Sequence, residues 1–108
     1  MKHLTYSNTS LYVGDEVAEV LLNYAAMLAS NNQADTVELQ VAETGGDEVL
    51  ATLLLDGGTL LMTETTASAA PEPDNAKAIA YMKKRMTALK PPKPVADAGL
   101  PDFDEMQL

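Results

Sequence analysis

Residues 36–66 contain three runs rich in Val, Leu and Thr, separated by Gly45-Gly46 and by Gly57-Gly58. In the first run Val37, Leu39 and Val41 alternate with Glu38, Gln40 and the small Ala42, a period of two that gives a strand one apolar face. Glycine pairs between such runs are hairpin signals, so the stretch predicts a three-stranded antiparallel meander.

Residues directly opposite in an antiparallel pair share a face, and this constrains the register. A two-residue Gly45-Gly46 loop would oppose Glu43 to Glu48 and place Thr52 against Leu39. A three-residue Gly45-Gly46-Asp47 loop instead sets Val41 against Ala51, Leu39 against Leu53 and Val37 against Leu55, and suits a turn ending in a bulge. For the next turn, a two-residue Gly57-Gly58 loop opposes Leu55 to Leu60 and Leu53 to Met62. The expected core face is therefore Val37, Leu39, Val41, Ala51, Leu53, Leu55, Leu60 and Met62. Leu50, Leu54 and Leu61 are left close together on the second face, among Glu38, Gln40, Thr52, Thr63 and Thr65. They form the candidate interface, because an uncovered cluster of leucines marks contact with another chain more often than not.

Residues 3–6 and 11–13 are two short alternating runs around Ser7, Asn8, Thr9 and Ser10, whose side chains favour turns, and they predict a first hairpin. Tyr6 and Tyr12 read as packing residues with a hydroxyl at the sheet edge. His3 has no assignable partner. Gly14 ends the hairpin, and Asp15 is the expected cap of a helix with Glu16 and Glu19 near its positive end. Val17, Val20, Leu21, Tyr24 and Leu28 form one apolar stripe, and Leu22, Ala25, Ala26 and Met27 widen it, which predicts burial on more than one side. Ser30-Asn31-Asn32-Gln33 stops this helix. After a loop at 67–73, Asp74 or Asn75 caps a second helix with Ile79, Met82, Met86 and Leu89 as its stripe.

Pro91, Pro92 and Pro94 open an extended linker. Beyond it Leu100, Phe103 and Met106 recur every third position among Asp102, Asp104 and Glu105, as in many docking segments. The pattern as a whole predicts an α+β fold in the order ββαβββα, with an antiparallel sheet of four to five strands, two helices packed on one face, and an extended C-terminal tail. Residues 1–90 are the expected compact domain. Residues 91–108 are the Pro-rich linker and acidic tail, expected to dock on their own or a neighbouring subunit.

With 108 residues, 46% of them hydrophobic, the chain has material for one core. It has no Cys and one His, which excludes a disulfide framework, a thiolate metal site, a thiol nucleophile and a histidine-rich metal site within one chain. No cofactor is expected. Its apolar runs fall far short of the roughly 20 residues of a membrane helix, and the N-terminal residues lack the apolar segment of a secretory signal. The corresponding expectation is a cytoplasmic protein with no membrane partner.

The net charge of -9 is unevenly laid out. Twelve acidic residues and no Lys or Arg lie between positions 3 and 76, then six basic and no acidic residues between 77 and 93, then Asp97, Asp102, Asp104 and Glu105. Such a body repels phosphates, so nucleic acid is not an expected partner. Lys83, Lys84, Arg85 and Lys90 suit the negative end of the second helix. Lys83, Lys84 and Arg85 are also the candidate dock for the tail, with Leu100, Phe103 and Met106 as its anchors.

The glycine pairs are flanked by Asp and lack a following Lys-Ser or Lys-Thr, so they are turns and not phosphate loops. The turn acids lack calcium-loop spacing. Nucleophilic catalysis would need Ser or Thr beside a base, yet the only His is at position 3 and the body of the fold has no Lys. No catalytic, cofactor-binding or metal-binding residue is singled out. The order of elements is shared by many small α+β domains and carries no function by itself. The leading expectation is a small acidic non-enzymatic protein that acts through protein-protein contact and forms a homodimer. The alternatives are an acidic nucleic-acid mimic that blocks a DNA- or RNA-binding protein, and a small-ligand binder or enzyme with a pocket between sheet and helices.

Overall fold

A computed structural model of the chain describes residues 1–67 and 70–90. The elements follow the expected order: β1 (Lys2–Tyr6), β2 (Thr9–Val13), α1 (Asp15–Ser30), β3 (Asp35–Ala42), β4 (Glu48–Leu55), β5 (Leu61–Thr65) and α2 (Ala76–Met86). All five strands belong to one antiparallel sheet, in the order β4-β3-β2-β1-β5, and the fold is α+β. The expected tail lies outside the described residues.

Periodicity places α1 correctly. Val17, Val20, Leu21, Tyr24 and Leu28 are all buried, against Leu4, Val13, Val37, Leu39, Val41, Leu53 and Leu55 of the sheet and Met82 of α2. Leu22 and Ala26, on the widened part of the stripe, stay exposed. Asp15 is not the cap of this helix. Gly14 occupies that position, and the Glu72 carboxylate stands over the helix start, 3.5 Å from the Asp15 N–H. A Cβ on Gly14 would sit 2.7 Å from Glu72 Oε1, so the carboxylate fills the place a side chain would need.

The central meander is where expectation and structure part. Between β3 and β4, Val41 faces Val49, Leu39 faces Ala51 and Val37 faces Leu53, two residues away from the expected register. The loop is the expected three-residue type, but it encloses Thr44, Gly45 and Gly46. The Glu43 N–H donates to the Asp47 carbonyl and the Gly46 N–H to the Glu43 carbonyl, each at 2.8 Å. The last residue of such a turn needs a positive φ, and Gly46, at φ 95°, supplies it where Asp47 would be strained. A shift of two preserves faces, so the core residues of both strands are those expected.

β5 does not follow β4 as its neighbour. A five-residue connection, 56–60, replaces the expected Gly57-Gly58 turn and carries the chain to the opposite edge, where β5 pairs with β1, Leu61 facing Tyr6 and Thr63 facing Leu4. This inverts the expected faces. Leu61 turns to the core side and is half-buried, while Leu60 and Met62 are exposed.

The sheet is curled as well as paired. β2 and β3 meet only at Tyr12 and Ala42. Yet the Tyr6 hydroxyl of β1 donates to the Leu54 carbonyl of β4 at 2.6 Å, although two strands separate them in the pairing order. The sheet has bent until its ends nearly meet. The stretch of β3 that β2 leaves unpaired is met by the segment leading into α2. Buried Asn75 donates to the Gln40 carbonyl and accepts from the Gln40 N–H, both at 2.8 Å, as a strand neighbour would.

Candidate functional site

β4 is one of the two outermost strands, with no strand on its far side among the described residues. Backbone groups in antiparallel pairs point alternately toward and away from the partner. Both polar groups of Gln40 go to Asn75, so the pair Gln40 and Leu50 exchanges no bonds, and Leu50 aims its N–H and C=O away from β3. By the same alternation Glu48, Thr52 and Leu54 point outward too. Leu54 bears this out. Its carbonyl takes the Tyr6 hydroxyl, and the Thr59 hydroxyl lies 3.2 Å away. The free part of the edge therefore runs from Glu48 to Thr52.

The outer face of this strand carries the apolar surplus. Leu50 is 57% and Leu54 50% exposed, with Thr52 between them. Leu61, the third residue of the expected cluster, is on the core side, because its neighbour is β1. Glu38 and Thr52 form the next row of the face. Beside it an open cleft of about 440 Å³ runs between the sheet and α2, lined by Thr52, Glu38, Lys77 and Tyr81. Lys77 lines a second, adjoining cleft with Leu50.

A polar cluster joins α1, β3 and α2. The Tyr24 hydroxyl, wholly buried, donates to Asp35 Oδ2, which also accepts the Tyr81 hydroxyl at 2.6 Å. Arg85 Nε donates to the Tyr24 oxygen at 3.2 Å and lies 3.9 Å from Asp35 Oδ2. Asp35 Oδ1 accepts the Thr36 N–H. Burial in the first place, and the Asp35 carboxylate in addition, push the Tyr24 hydroxyl up to about 12 against the opposing effect of Arg85. Burial alone would raise Asp35, but the bonds from Tyr24, Tyr81 and Thr36 together with the Arg85 charge outweigh it and hold its carboxyl below the ordinary value. Tyr81 is raised, chiefly by its bond to Asp35. Each tyrosine proton is committed to one carboxylate oxygen, so the arrangement clamps three elements together and presents no activated nucleophile. Nor do any three His, Asp or Glu side chains gather among the described residues as a metal would require.

No family model, curated protein or solved structure matches the chain.

The remaining expected residues fall as follows. His3 Nδ1 lies 3.2 Å from Glu64 Oε1, with its ring centroid 5.1 Å from that of Tyr12. Lys83 pairs with Glu16 of α1 at 3.1 Å, and Arg85 is in the clamp. Lys84, between them, is exposed and makes no ion pair among the described residues. Leu100, Phe103 and Met106 lie outside the described residues. No helix among the described residues is long and apolar enough to cross a membrane.

Proposed function

We propose that this is a non-enzymatic interaction protein that pairs with a second copy of itself through β4. One observation carries the reading: Leu50 and Leu54 stand half or more exposed on the outer face of an eight-residue edge strand. Natural edge strands are normally short, bulged, covered, or defended by Lys or Pro. β4 has none of these defences over residues 49–52, and its one charge is Glu48 at the end. A partner strand would satisfy the outward backbone groups of Glu48, Leu50 and Thr52 and cover Leu50.

Sedimentation velocity on the full chain at micromolar concentration tests this directly. The wild type is expected to run as a dimer. Leu50→Lys combined with Leu54→Lys is expected to run as a monomer with an unchanged circular dichroism spectrum, since both side chains project from the outer face. A wild-type monomer under these conditions ends the reading.

A further inference from the structure

We infer that the second copy pairs antiparallel to β4 about a two-fold axis at Leu50, so that Leu50 faces Leu50 of the partner subunit and one continuous sheet runs through both molecules. This rests on the self-association proposed above and fixes its register. A two-fold axis perpendicular to the sheet allows only a few centres along the strand, and the side groups already on its edge discriminate among them.

Centred on Leu50, the pairing brings Glu48 opposite Thr52 of the partner subunit and Thr52 opposite the partner's Glu48. All three residues aim their backbone groups outward, so each facing pair exchanges two N–H···O=C bonds and no free group of the edge is wasted. Centred on Ala51, the pairing drives Glu48 against Leu54, whose carbonyl is already engaged by Tyr6 and approached by Thr59. Centred on Thr52, it places Leu50 against that same carbonyl's residue and sets Glu48 opposite Asp56, two acids in one row. Centred on Glu48, it opposes the two glutamates themselves.

The side chains agree with the backbone. Leu50 meets its copy on the outer face, and on the inner face half-buried Val49 and Ala51 of each copy meet Ala51 and Val49 of the other. On the inner face the strip is apolar on both sides of the axis and symmetric about it. The charge layout also fits. The partner's Glu48 arrives beside Thr52, in the row whose cleft Lys77 lines, and Lys77 makes no ion pair among the described residues. A cation on α2 is thereby placed to meet an acid from the other copy, which is what allows two molecules of net charge -9 to approach at this edge.

The chain contains no cysteine, so single-cysteine variants of the full chain report the register cleanly. Facing Cα atoms in a hydrogen-bonded antiparallel pair are about 5.5 Å apart, within disulfide range. In this register two copies of residue 52 lie four residues apart along the strands, about 13 Å, and cannot be bridged. Leu50→Cys is expected to form a disulfide-linked dimer under mild oxidation, and Thr52→Cys and Ala51→Cys to form it at least tenfold more slowly. Faster cross-linking of Ala51→Cys or Thr52→Cys, with the wild type dimeric by sedimentation, overturns the register and leaves self-association standing. A dimeric wild type in which none of the three cross-links overturns the register as well. A monomeric wild type overturns both. As a second variant, Leu50→Pro removes an N–H that faces away from β3, so it is expected to abolish the dimer while leaving the far-ultraviolet spectrum of the fold in place.

Discussion

Asp35 is the one acid on the core-facing parity of β3, in series with Val37, Leu39 and Val41, and it is tolerable there only because four groups converge on it. Removing its charge exposes that dependence. Asp35→Asn replaces an acceptor of two tyrosine hydroxyls by an amide that can satisfy them only in part, and a cost of about 2–3 kcal/mol in urea unfolding is expected. Tyr24→Phe, which spares Asp35 its bond from Tyr81, should cost about 1 kcal/mol. The pH dependence follows from the directions. A carboxyl lowered on folding contributes stability that is present above its unfolded value and lost as pH falls through the folded one, so the acid limb of the stability curve should flatten in Asp35→Asn. Tyr24, raised to about 12, contributes stability present below the unfolded tyrosine value of about 10 and lost as pH rises through 12. An absorbance titration should show one tyrosine ionising last, and Tyr24→Phe should abolish that step.

Asn75 has a comparable position among the elements. Its amide stands in for a missing strand on β3, and Asn75→Ala would leave the Gln40 N–H and C=O without that partner. A loss of about 2–3 kcal/mol is expected by chemical denaturation. Asn75→Asp should recover little, since a carboxylate accepts from the N–H but repels the carbonyl. At this scale the sequence is informative about faces and poor on neighbours. The stripe of α1 was readable because a period near 3.6 fixes orientation, and the faces of β3 and β4 because alternation does. Register depended on which glycine would take the positive φ, a choice between Gly46 and its neighbours that hydrophobicity does not encode. The place of β5 depended on tertiary pairing. Leu60, Leu61 and Met62 are all apolar, so alternation there could not say which residues face inward until β1 was known to be the partner. Tyr24 on a buried stripe and Asp35 on a core parity were a legible signal of the clamp, since a buried hydroxyl needs a partner. What the sequence did not supply was Tyr81 and Arg85, brought in by α2 from 46 and 50 positions away.

For the molecule as a whole, the balance of charge bears on the tail. Lys90 both donates to and accepts from the Asn31 side chain through its backbone, so the described chain ends beside the C-terminal end of α1. On α2, Lys83 and Arg85 are engaged with Glu16, Tyr24 and Asp35, whereas Lys84 makes no ion pair among the described residues. If the acidic tail docks on this surface, deletion of residues 95–108 should lower the melting temperature or change the oligomeric state, and the difference should shrink in about 0.5 M salt, where screening is strong. An unchanged melting temperature and sedimentation coefficient would remove the tail from the account.

The β1–β5 ladder joins residues 2–6 to residues 61–65. In kinetic terms this separates the molecule into early and late events. The two hairpins and α1 close short loops and need only local chain, whereas β5 must find a strand laid down near the start, after most of the sequence has been made, and closing so long a loop is slow. Until Thr65 has left the ribosome, the outer edge of β1 has no partner. During synthesis the chain therefore carries a second open edge, at the N-terminal hairpin, which β5 closes in the finished fold while that of β4 stays open.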